Sequence, residues 1–419
     1  MMLLILLLLP TFDVLAATVP DVCEDYTPCS CQEYEPYGLI VRCGDPFDHK
    51  SSITSLDVHD VFNRTKARHV FWLDLFSLSP GVDSGDVIQL PADVLSEKSV
   101  DRLGISCSTL AGPLVLEIHP DAFRSSAHQM GHFEIAGCDF SRLDFQFLAD
   151  TTSLISLSLG PGLNFRGFPR LPFLARVTSL RIYNYLDFRY WNQIAGRFPF
   201  LESLFLDGTQ LGDRLINKLV SSIASSPTGR HSLTQLSLWE NRLSRVPEHL
   251  SSLKKLSYVN LFGNAIRFLA KGSFAFNSEI KVTFLILTRN SLERIEPGAF
   301  QGDFSEAIIY LDYNHLTRFD SAVYQKVLEQ MRSLSSVAGI YVRNSKIDDV
   351  DHFVGDSEPC KTPFFFKLGV AIDPFECGDC HLAWLIRDKP HLLKRVFGGR
   401  CSNGTQFEDL KPEGYHDCR

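Results

Sequence analysis

Three consecutive segments of the chain carry the same pattern of apolar residues and one asparagine. They begin at Leu233, Leu256 and Val282, and each fits L-x-x-L-x-L-x-x-N-x-L, with valine or isoleucine allowed in place of leucine. The pattern predicts a short strand whose apolar side chains point inward, followed by a turn at the asparagine. Because one such unit cannot cover its own apolar face, neighbouring units must stack edge to edge.

The same spacing extends in both directions and defines about twelve repeats. Their first residues are 53, 70, 100, 130, 154, 177, 201, 233, 256, 282, 306 and 337, and we number the positions of each repeat from that residue. This is the pattern of the leucine-rich repeat. It predicts an α/β solenoid, a horseshoe with a parallel sheet on its concave face. An ordinary α/β domain with similar strands is the alternative, and the regular interval disfavours it.

The longer intervals leave room for helices on the convex side. Apolar residues recur at helical spacing over Asp213–Ser225 and again over 321–333, so we predict a helix in each segment. Three phenylalanines follow strands at comparable places and are expected to fill the back of the core, namely Phe123, Phe274 and Phe300.

Residues 1–16 have the features of a secretory signal peptide. An apolar run covers Met1 to Pro10, and the small residue Ala16 suits the cleavage site. The segment lacks the Lys or Arg of a usual signal-peptide start, and Asp13 is unusual, so the exact cleavage position stays open. A signal anchor is the alternative, although the run is short for a bilayer span. No later stretch is apolar enough to span a membrane, and we find no lipid-anchor tail. We therefore expect a secreted, extracellular protein without membrane insertion.

Eight of the 11 cysteines lie in two clusters near the ends of the chain. They are Cys23, Cys29, Cys31 and Cys43 in the first cluster and Cys377, Cys380, Cys401 and Cys418 in the second. A stacked solenoid exposes apolar edges at both ends and needs caps, and small extracellular caps are commonly stapled by disulfides. Four cysteines allow three pairings, and spacing alone does not choose among them.

The two clusters resemble the caps of extracellular leucine-rich-repeat proteins. The segment CEDYTPCSCQEYEPYGLIVRC is similar to their N-terminal cap, and the segment from DPFECGDCHLAWLIRD to the final cysteine is similar to their C-terminal cap. The resemblance implies the pairs Cys23–Cys31, Cys29–Cys43, Cys377–Cys401 and Cys380–Cys418. The chain departs from the family at one point, because C-x-x-C stands where the family usually has C-x-C.

The resemblance covers nearly the whole chain and implies its division. We expect a signal peptide over 1–16, an N-terminal cap over 17–52, repeats over 53–359 and a C-terminal cap over 360–419. The phrase HLAWLIRD followed by CSNGT, and the divergent early repeats, are most similar to secreted arthropod members. Those include proteins like the non-catalytic leucine-rich subunit of a shrimp luciferase (Oplophorus-luciferin 2-monooxygenase), which implies an accessory role.

Three cysteines remain outside the clusters. Cys138 stands at the asparagine position of its repeat, where a buried free thiol is the favoured interpretation. A bridge from Cys138 to Cys107 is sterically feasible but less favoured, because the repeat frame points Cys107 outward. Cys360 has no evident partner. Two sequons, at Asn63 and Asn403, predict glycosylation.

The sequence contains little that indicates catalysis. Cys377, Cys380 and His381 match the C-x-x-C-H motif of c-type haem attachment, but capping disulfides with a surface histidine are the favoured interpretation. Catalytic, phosphate-binding and metal motifs are absent from the sequence, so we expect no enzyme, no cofactor and no metal. The net charge is −8, from 41 basic and 49 acidic residues, without a basic run of the kind that binds nucleic acid.

Positions 2, 3, 5, 7 and 8 of the repeats are expected to line the concave face. In the later repeats they carry an unusual share of aromatic and charged side chains, namely Arg181, Tyr183, Phe205, Asp207, Trp239, Tyr258, Phe262, Phe284, Tyr310, Asp312 and Tyr313. Such side chains dominate binding hot spots. We predict that they bind a protein in the extracellular space or on a cell surface. Self-association as a homodimer, or scattered aromatic residues without a partner, are the alternatives.

Overall fold

The structure is a computed structural model. It describes residues 23, 26–45, 53–81, 85–107, 114–140, 142–160, 171–183, 194–331, 338–342, 375–378 and 380–418. The predicted signal peptide (1–16) and Cys360 lie outside the described residues.

One large sheet runs along the described part of the chain. The strands, in chain order, are β1 (Ser30–Tyr34), β2 (Gly38–Cys43), β3 (His69–Leu78), β4 (Val87–Leu90), β5 (Ser99–Cys107), β6 (Val115–Ile118), β7 (His132–Ala136), β8 (Ser156–Leu159), β9 (Ser179–Tyr183), β10 (Ser203–Asp207), β11 (Gln235–Ser237), β12 (Tyr258–Asn260), β13 (Phe268–Leu269), β14 (Phe274–Ala275), β15 (Phe284–Ile286), β16 (Arg294–Ile295), β17 (Phe300–Gln301), β18 (Ile308–Tyr310), β19 (Gly339–Tyr341) and β20 (Val396–Phe397). Fourteen of them form this sheet, in the order β1-β2-β3-β5-β7-β8-β9-β10-β11-β12-β15-β18-β19-β20.

The register of the sheet follows the repeat frame. Every neighbouring pair is parallel except β1 and β2. Position 4 of each repeat aligns with position 4 of the next, as in the row Leu180, Leu204 and Leu236, and these side chains are buried. The frame thus places one side of the strands in the core and the other on the concave face. Eleven of the twelve predicted repeats supply a strand of this sheet.

The predicted repeat at residue 53 is wrong. Ile53 makes only an isolated bridge, and the helix α1 (Ser55–Arg64) follows it. Thr54 caps this helix by accepting a hydrogen bond from the Asp57 amide, while the Asp57 side chain accepts one from the Thr54 amide. This capping box outcompetes strand formation because it satisfies exposed amides at the helix start. The helix buries Val58, Val61 and Phe62.

The remaining elements pack behind the large sheet. The helices after α1 are α2 (Ile194–Arg197), α3 (Asp213–Ser225), α4 (Gly229–Ser232) and α5 (Ser321–Gln330). Shorter 3₁₀ or π turns occupy Arg124–Ser126, Phe145–Leu148, Leu250–Ser252, Cys380–Leu382, Trp384–Asp388, Pro390–Arg395, Phe407–Asp409 and Pro412–Tyr415. Helix α3 has the predicted bounds, whereas α5 ends three residues earlier than predicted. The strand pairs β4–β6, β13–β16 and β14–β17 form small parallel ladders.

Phenylalanine fills much of the core behind the strands. Phe123, Phe274 and Phe300 are buried, as predicted. The rings of Phe274 and Phe300 stack with their centroids 6.1 Å apart, and Phe123 meets Phe147 edge-on at 5.9 Å. Rings of adjacent repeats therefore contact each other, so that stacked units share one core.

Disulfides close both ends of the solenoid. The pairs Cys23–Cys31 and Cys29–Cys43 tie the N-terminal hairpin, and Cys377–Cys401 and Cys380–Cys418 tie the C-terminal segment. All four pairings implied by the resemblance are confirmed, so the extra residue in C-x-x-C does not change them. Because Cys377 and Cys380 are both bridged, neither offers a thiol for haem attachment. His381 is buried at 8% exposure and is not the surface residue that was expected.

A fifth disulfide corrects the interpretation of two cysteines. Cys107 and Cys138 are bonded, with their Cα atoms 5.1 Å apart. The expectation of a free thiol at Cys138 and an outward Cys107 is wrong. Strand β5 continues through Cys107, so the alternation of side chains that buries Leu103 and Ile105 also turns Cys107 into the core.

Asparagines at position 9 connect the central repeats. Asn241, Asn264, Asn290 and Asn314 are buried, and each side-chain amide donates to a carbonyl of the preceding repeat. The side-chain oxygen of each accepts a backbone N–H at position 11, as Asn264 does from Leu243. These bonds satisfy buried backbone groups that the short strands leave open. Repeats, parallel sheet and stapled ends together define the protein as a leucine-rich-repeat solenoid.

Candidate functional site

The exposed face of the large sheet brings the predicted site residues into columns. At position 5, Arg181 pairs with Phe205 and Ile286 with Tyr310. At position 3, Tyr258 pairs with Phe284, and at position 7, Tyr183 pairs with Asp207. Neighbouring side chains on one face of a sheet lie about 5 Å apart. The columns therefore form a continuous surface rather than isolated points.

Aromatic rings in the central repeats contact one another on this face. Trp239 and Phe262 meet edge-on with their centroids 5.5 Å apart, and Tyr258 tilts against Phe284 at 5.8 Å. We give the name aromatic face to eight partly exposed rings that lie on the large-sheet strands from β10 to β20 or within two residues after them, namely Phe205, Trp239, Tyr258, Phe262, Phe284, Tyr310, Tyr341 and Phe397. Rings held against other rings lose little freedom on binding, which suits a hot spot.

Two members of the aromatic face were not predicted. Tyr341 lies between two rings: it is tilted against Tyr310 at 4.8 Å and stacks on Phe397 at 4.7 Å. Tyr341 occupies position 5 of the last repeat, so the same counting that found Tyr310 also reaches it. Phe397 belongs to β20, which is supplied by the C-terminal cap and carries no repeat signal.

Two predicted acidic residues do not reach the surface. Asp207 is 9% exposed and Asp312 is 0% exposed. The Asp207 carboxylate accepts hydrogen bonds from the Ser237 hydroxyl at 2.6 Å and from the Trp239 amide at 3.0 Å. Burial raises the pKa of Asp207 to about 6, and the two hydrogen bonds oppose that rise. In this structure Asp207 therefore fixes the strand end that carries Trp239, and it is not available to touch a partner.

Arginines lie over rings at one end and near the middle of the aromatic face. The Arg181 guanidinium is 4.6 Å from the centroid of Phe205. The Arg289 guanidinium lies 5.6 Å from Phe262 and 5.7 Å from Tyr313. Arg289 is at position 8, one of the outward positions, but was not singled out from the sequence. Aromatic faces attract guanidinium groups through the ring quadrupole.

A second group of arginines and rings lies near the N-terminal end of the sheet. Trp72 has Arg42 at 5.9 Å on its ring and Arg102 at 5.8 Å, and Arg102 is also 5.4 Å from Phe71. The Trp72 indole donates to the Asp74 carboxylate at 2.8 Å, and Arg42 forms an ion pair with the same carboxylate. This group was not predicted, because the early repeats fit the frame poorly.

Position 8 has a left-handed backbone in the central repeats. In one of these repeats the residue at position 8 is Glu240, whose carboxyl lies beside the rings. Glu240 has φ 53° and Gly263, its counterpart in the next repeat, has φ 67°. A Cβ at Gly263 would lie only 2.9 Å from Cγ of Glu240, so glycine makes room for the glutamate. Burial raises the pKa of Glu240 to about 7, opposed by the Trp239 indole and by the charge of Arg289.

This raised pKa predicts a pH-dependent stability that one substitution removes. The folded protein holds the Glu240 proton more tightly than the unfolded chain, in which the glutamate pKa has its ordinary value of 4.5. The free energy of unfolding therefore falls as pH rises from about 4.5 to about 7. Between pH 4.5 and pH 8 the wild type should lose on the order of 2 kcal/mol more than Glu240→Gln. Urea unfolding across that range measures the difference. The exposed Glu248→Gln is the control and should behave like the wild type; parallel curves for wild type and Glu240→Gln would contradict the assignment.

Comparisons with known proteins add a likeness at low identity. No family model matches the chain. A chain in the structure of the Toll–Spatzle complex from Drosophila is similar at 14% sequence identity, with a TM-score of 0.44. The alignment covers 86% of this chain and 49% of the other, so this protein spans about half the length of that chain.

Other kinds of site find no support in the described residues. In that part of the chain, no three His, Cys, Asp or Glu residues are grouped so that they could hold a metal ion. The helices that the structure describes include none with the length and apolar character needed to cross a membrane. The surface with the most concentrated recognition chemistry is the aromatic face with its arginines.

Proposed function

We propose that this protein is a secreted, non-enzymatic recognition protein that binds an extracellular or cell-surface protein through its concave face. The observation that carries the proposal is the aromatic face, where eight partly exposed rings lie on adjacent strands or directly after them. Solvent-facing positions of a strand do not require aromatic residues for folding. A contiguous apolar surface of this kind marks an interaction site in soluble proteins.

The proposed location rests on the disulfides and on the surface sequons. Five disulfides in one chain suit an oxidising compartment. Asn63 and Asn403 are both exposed, so each side chain is accessible for glycosylation. We propose the division into signal peptide, N-terminal cap, repeats and C-terminal cap at residues 1–16, 17–52, 53–359 and 360–419, with the repeat strands beginning at β3.

The proposal is tested by capturing a partner from native extracellular fluid and comparing how strongly it binds the wild type and a binding-site variant. Trp239→Ala combined with Phe262→Ala is expected to weaken the captured partner's binding at least about 30-fold, because central aromatic residues carry about 2 kcal/mol or more in protein interfaces. The melting temperature should change by only a few degrees. Phe173→Ala with Phe200→Ala is the matched control, since both rings are exposed, at 58% and 52%, and lie outside the strands of the sheet.

The identity of the captured protein separates recognition from the accessory role. A cell-surface or matrix protein supports the proposed function. A secreted enzyme recovered at a fixed stoichiometry supports the non-catalytic accessory subunit instead. Equal binding by the wild type and the Trp239→Ala/Phe262→Ala variant would remove the concave face from consideration, and a dimer that only this variant disrupts would favour self-association.

A further inference from the structure

Three arginines on the exposed side of the sheet share a distinctive setting. Arg102 lies on Phe71 and Trp72, Arg181 lies on Phe205, and Arg289 lies on Phe262 and Tyr313. Each guanidinium is therefore supported by the face of at least one ring. Such support orients a planar cation and lowers the cost of ordering it when an anion binds.

Within the described residues, none of the three forms an ion pair with a carboxylate. Other arginines of the protein do form such pairs, for example Arg245 with Asp213 and Arg318 with Asp320. Burial raises the pKa of Glu134 and of Glu240, and the charges of Arg181 and Arg289, respectively, oppose those rises from beyond ion-pair distance. The fork of N–H donors on each guanidinium thus keeps capacity for a carboxylate from outside the chain.

The three arginines are spread along the sheet. Arg102 on β5 and Arg181 on β9 are three strand steps apart, and Arg289 follows β15, four steps beyond β9. At about 4.8 Å per step, the separations measured across the strands are roughly 14 Å and 19 Å. The rings of Trp239, Tyr258 and Phe284 occupy the surface between the last two. A face with separated cations and apolar rings between them is complementary to a partner surface that carries separated carboxylates and apolar side chains.

We propose that the partner presents a protein surface on which Asp or Glu carboxylates alternate with apolar or aromatic side chains, and that Arg102, Arg181 and Arg289 receive those carboxylates. This inference rests on the proposed function and specifies the chemistry of its partner. A sulfated glycan is disfavoured, because a polyanion pairs best with a contiguous run of cations and leaves the intervening rings uncovered. The whole chain carries −8, so its long-range field does not attract acidic molecules, and selection falls to these short-range contacts.

A random copolymer of glutamate and tyrosine is a defined probe for this chemistry. We expect the full-length secreted protein to bind immobilised poly(Glu,Tyr) and to bind polyglutamate more weakly. The triple variant Arg102→Gln/Arg181→Gln/Arg289→Gln should weaken copolymer binding at least tenfold, mainly through faster dissociation. The control triple variant Arg176→Gln/Arg214→Gln/Arg267→Gln removes the same charge from exposed arginines and should stay within twofold of the wild type.

Each remaining outcome overturns the inference. Absence of copolymer binding by the wild type, or equal effects of the two triple variants, removes the acidic-partner chemistry. Tighter binding to heparin than to the copolymer, lost in the first triple variant, assigns the arginines to a sulfated glycan instead. Melting temperatures of both triple variants check that the solenoid is folded. If the copolymer experiment fails, the proposed function is still tested separately by partner capture with the Trp239→Ala/Phe262→Ala variant, because that experiment requires no acidic partner.

Discussion

The double variant Cys107→Ala/Cys138→Ala is expected to lose about 3–4 kcal/mol of unfolding free energy relative to the wild type. The bridge joins residues 31 positions apart, and closing a loop of that length restricts the unfolded chain by about this amount. Alanine is the suitable replacement because the cysteines are only 5% and 0% exposed, so a serine hydroxyl would be buried at both places. Denaturant unfolding under non-reducing conditions measures the loss.

The bridge matters because of where Cys138 lies in its repeat. Cys138 occupies position 9, where the central repeats have the asparagine that bonds to the preceding repeat, and Gly137 before it has the left-handed backbone of position 8. A covalent link to β5 therefore replaces the hydrogen bonds that an asparagine would make there. It joins two early repeats whose sequences fit the frame less closely.

Reduction provides the control for this variant. When both proteins are completely reduced, neither contains a disulfide. Their free energies of unfolding should then agree within about 1 kcal/mol, the difference left by removing small buried groups. Identical unfolding midpoints without reductant would contradict the prediction. So would alkylation of Cys107 or Cys138 in the unreduced native protein, because a bonded cysteine has no thiol to react.

The solenoid was predictable because its period dominates the sequence. The spacing that begins at Leu233 predicted the parallel register, since aligned position-4 residues bury only when repeats pair in phase. The bounds of α3 were predictable because the apolar residues of Asp213–Ser225 form one helical face. These features are local, and each repeat confirms the next.

The errors arose where local chemistry overrides the frame. Ile53 and Leu56 match apolar repeat positions, but the Thr54–Asp57 capping box starts a helix there, and Leu56 is 68% exposed. At Cys107 the frame pointed the position-8 side chain outward, whereas β5 extends through this position and turns it into the core. Strand length depends on pairing with the neighbours, which a single repeat does not encode.

The site was partly predictable for a related reason. Counting positions identified which rings share the concave face, but not how deeply each side chain lies. Asp207 and Asp312 occupy outward positions, yet both are buried. The Asp207 carboxylate turns to the Ser237 hydroxyl and the Trp239 amide, which the repeat spacing does not specify. The support of Arg102 by Phe71 and Trp72 depends on side-chain directions across two neighbouring strands, β3 and β5, and no sequence spacing specifies those.

Asn264→Ala is expected to lower the free energy of unfolding by about 2–4 kcal/mol, because buried backbone groups in two repeats lose their hydrogen-bond partner. The Asn264 amide donates to the carbonyls of Leu238 and Leu261, each at 3.0 Å, and its oxygen accepts the Leu243 N–H at 3.0 Å. Alanine supplies none of these bonds, and the groups left behind are closed off from water. Asn277→Ala is the control; it removes two exposed hydrogen bonds, one donated to the Lys254 carbonyl and one accepted from the Glu279 amide, and should cost less than about 1 kcal/mol.

The loss at Asn264 should also be localised, which distinguishes it from a general loss of packing. Stability in a stacked solenoid is approximately a sum of repeat and interface contributions, so the interface between β11 and β12 weakens first. Hydrogen exchange of the Leu243 amide should then accelerate at least tenfold, while amides of β7 and β8 change little. Uniform acceleration along the chain, or a cost for Asn264→Ala no larger than that for Asn277→Ala, would show that the asparagine does not hold adjacent repeats together.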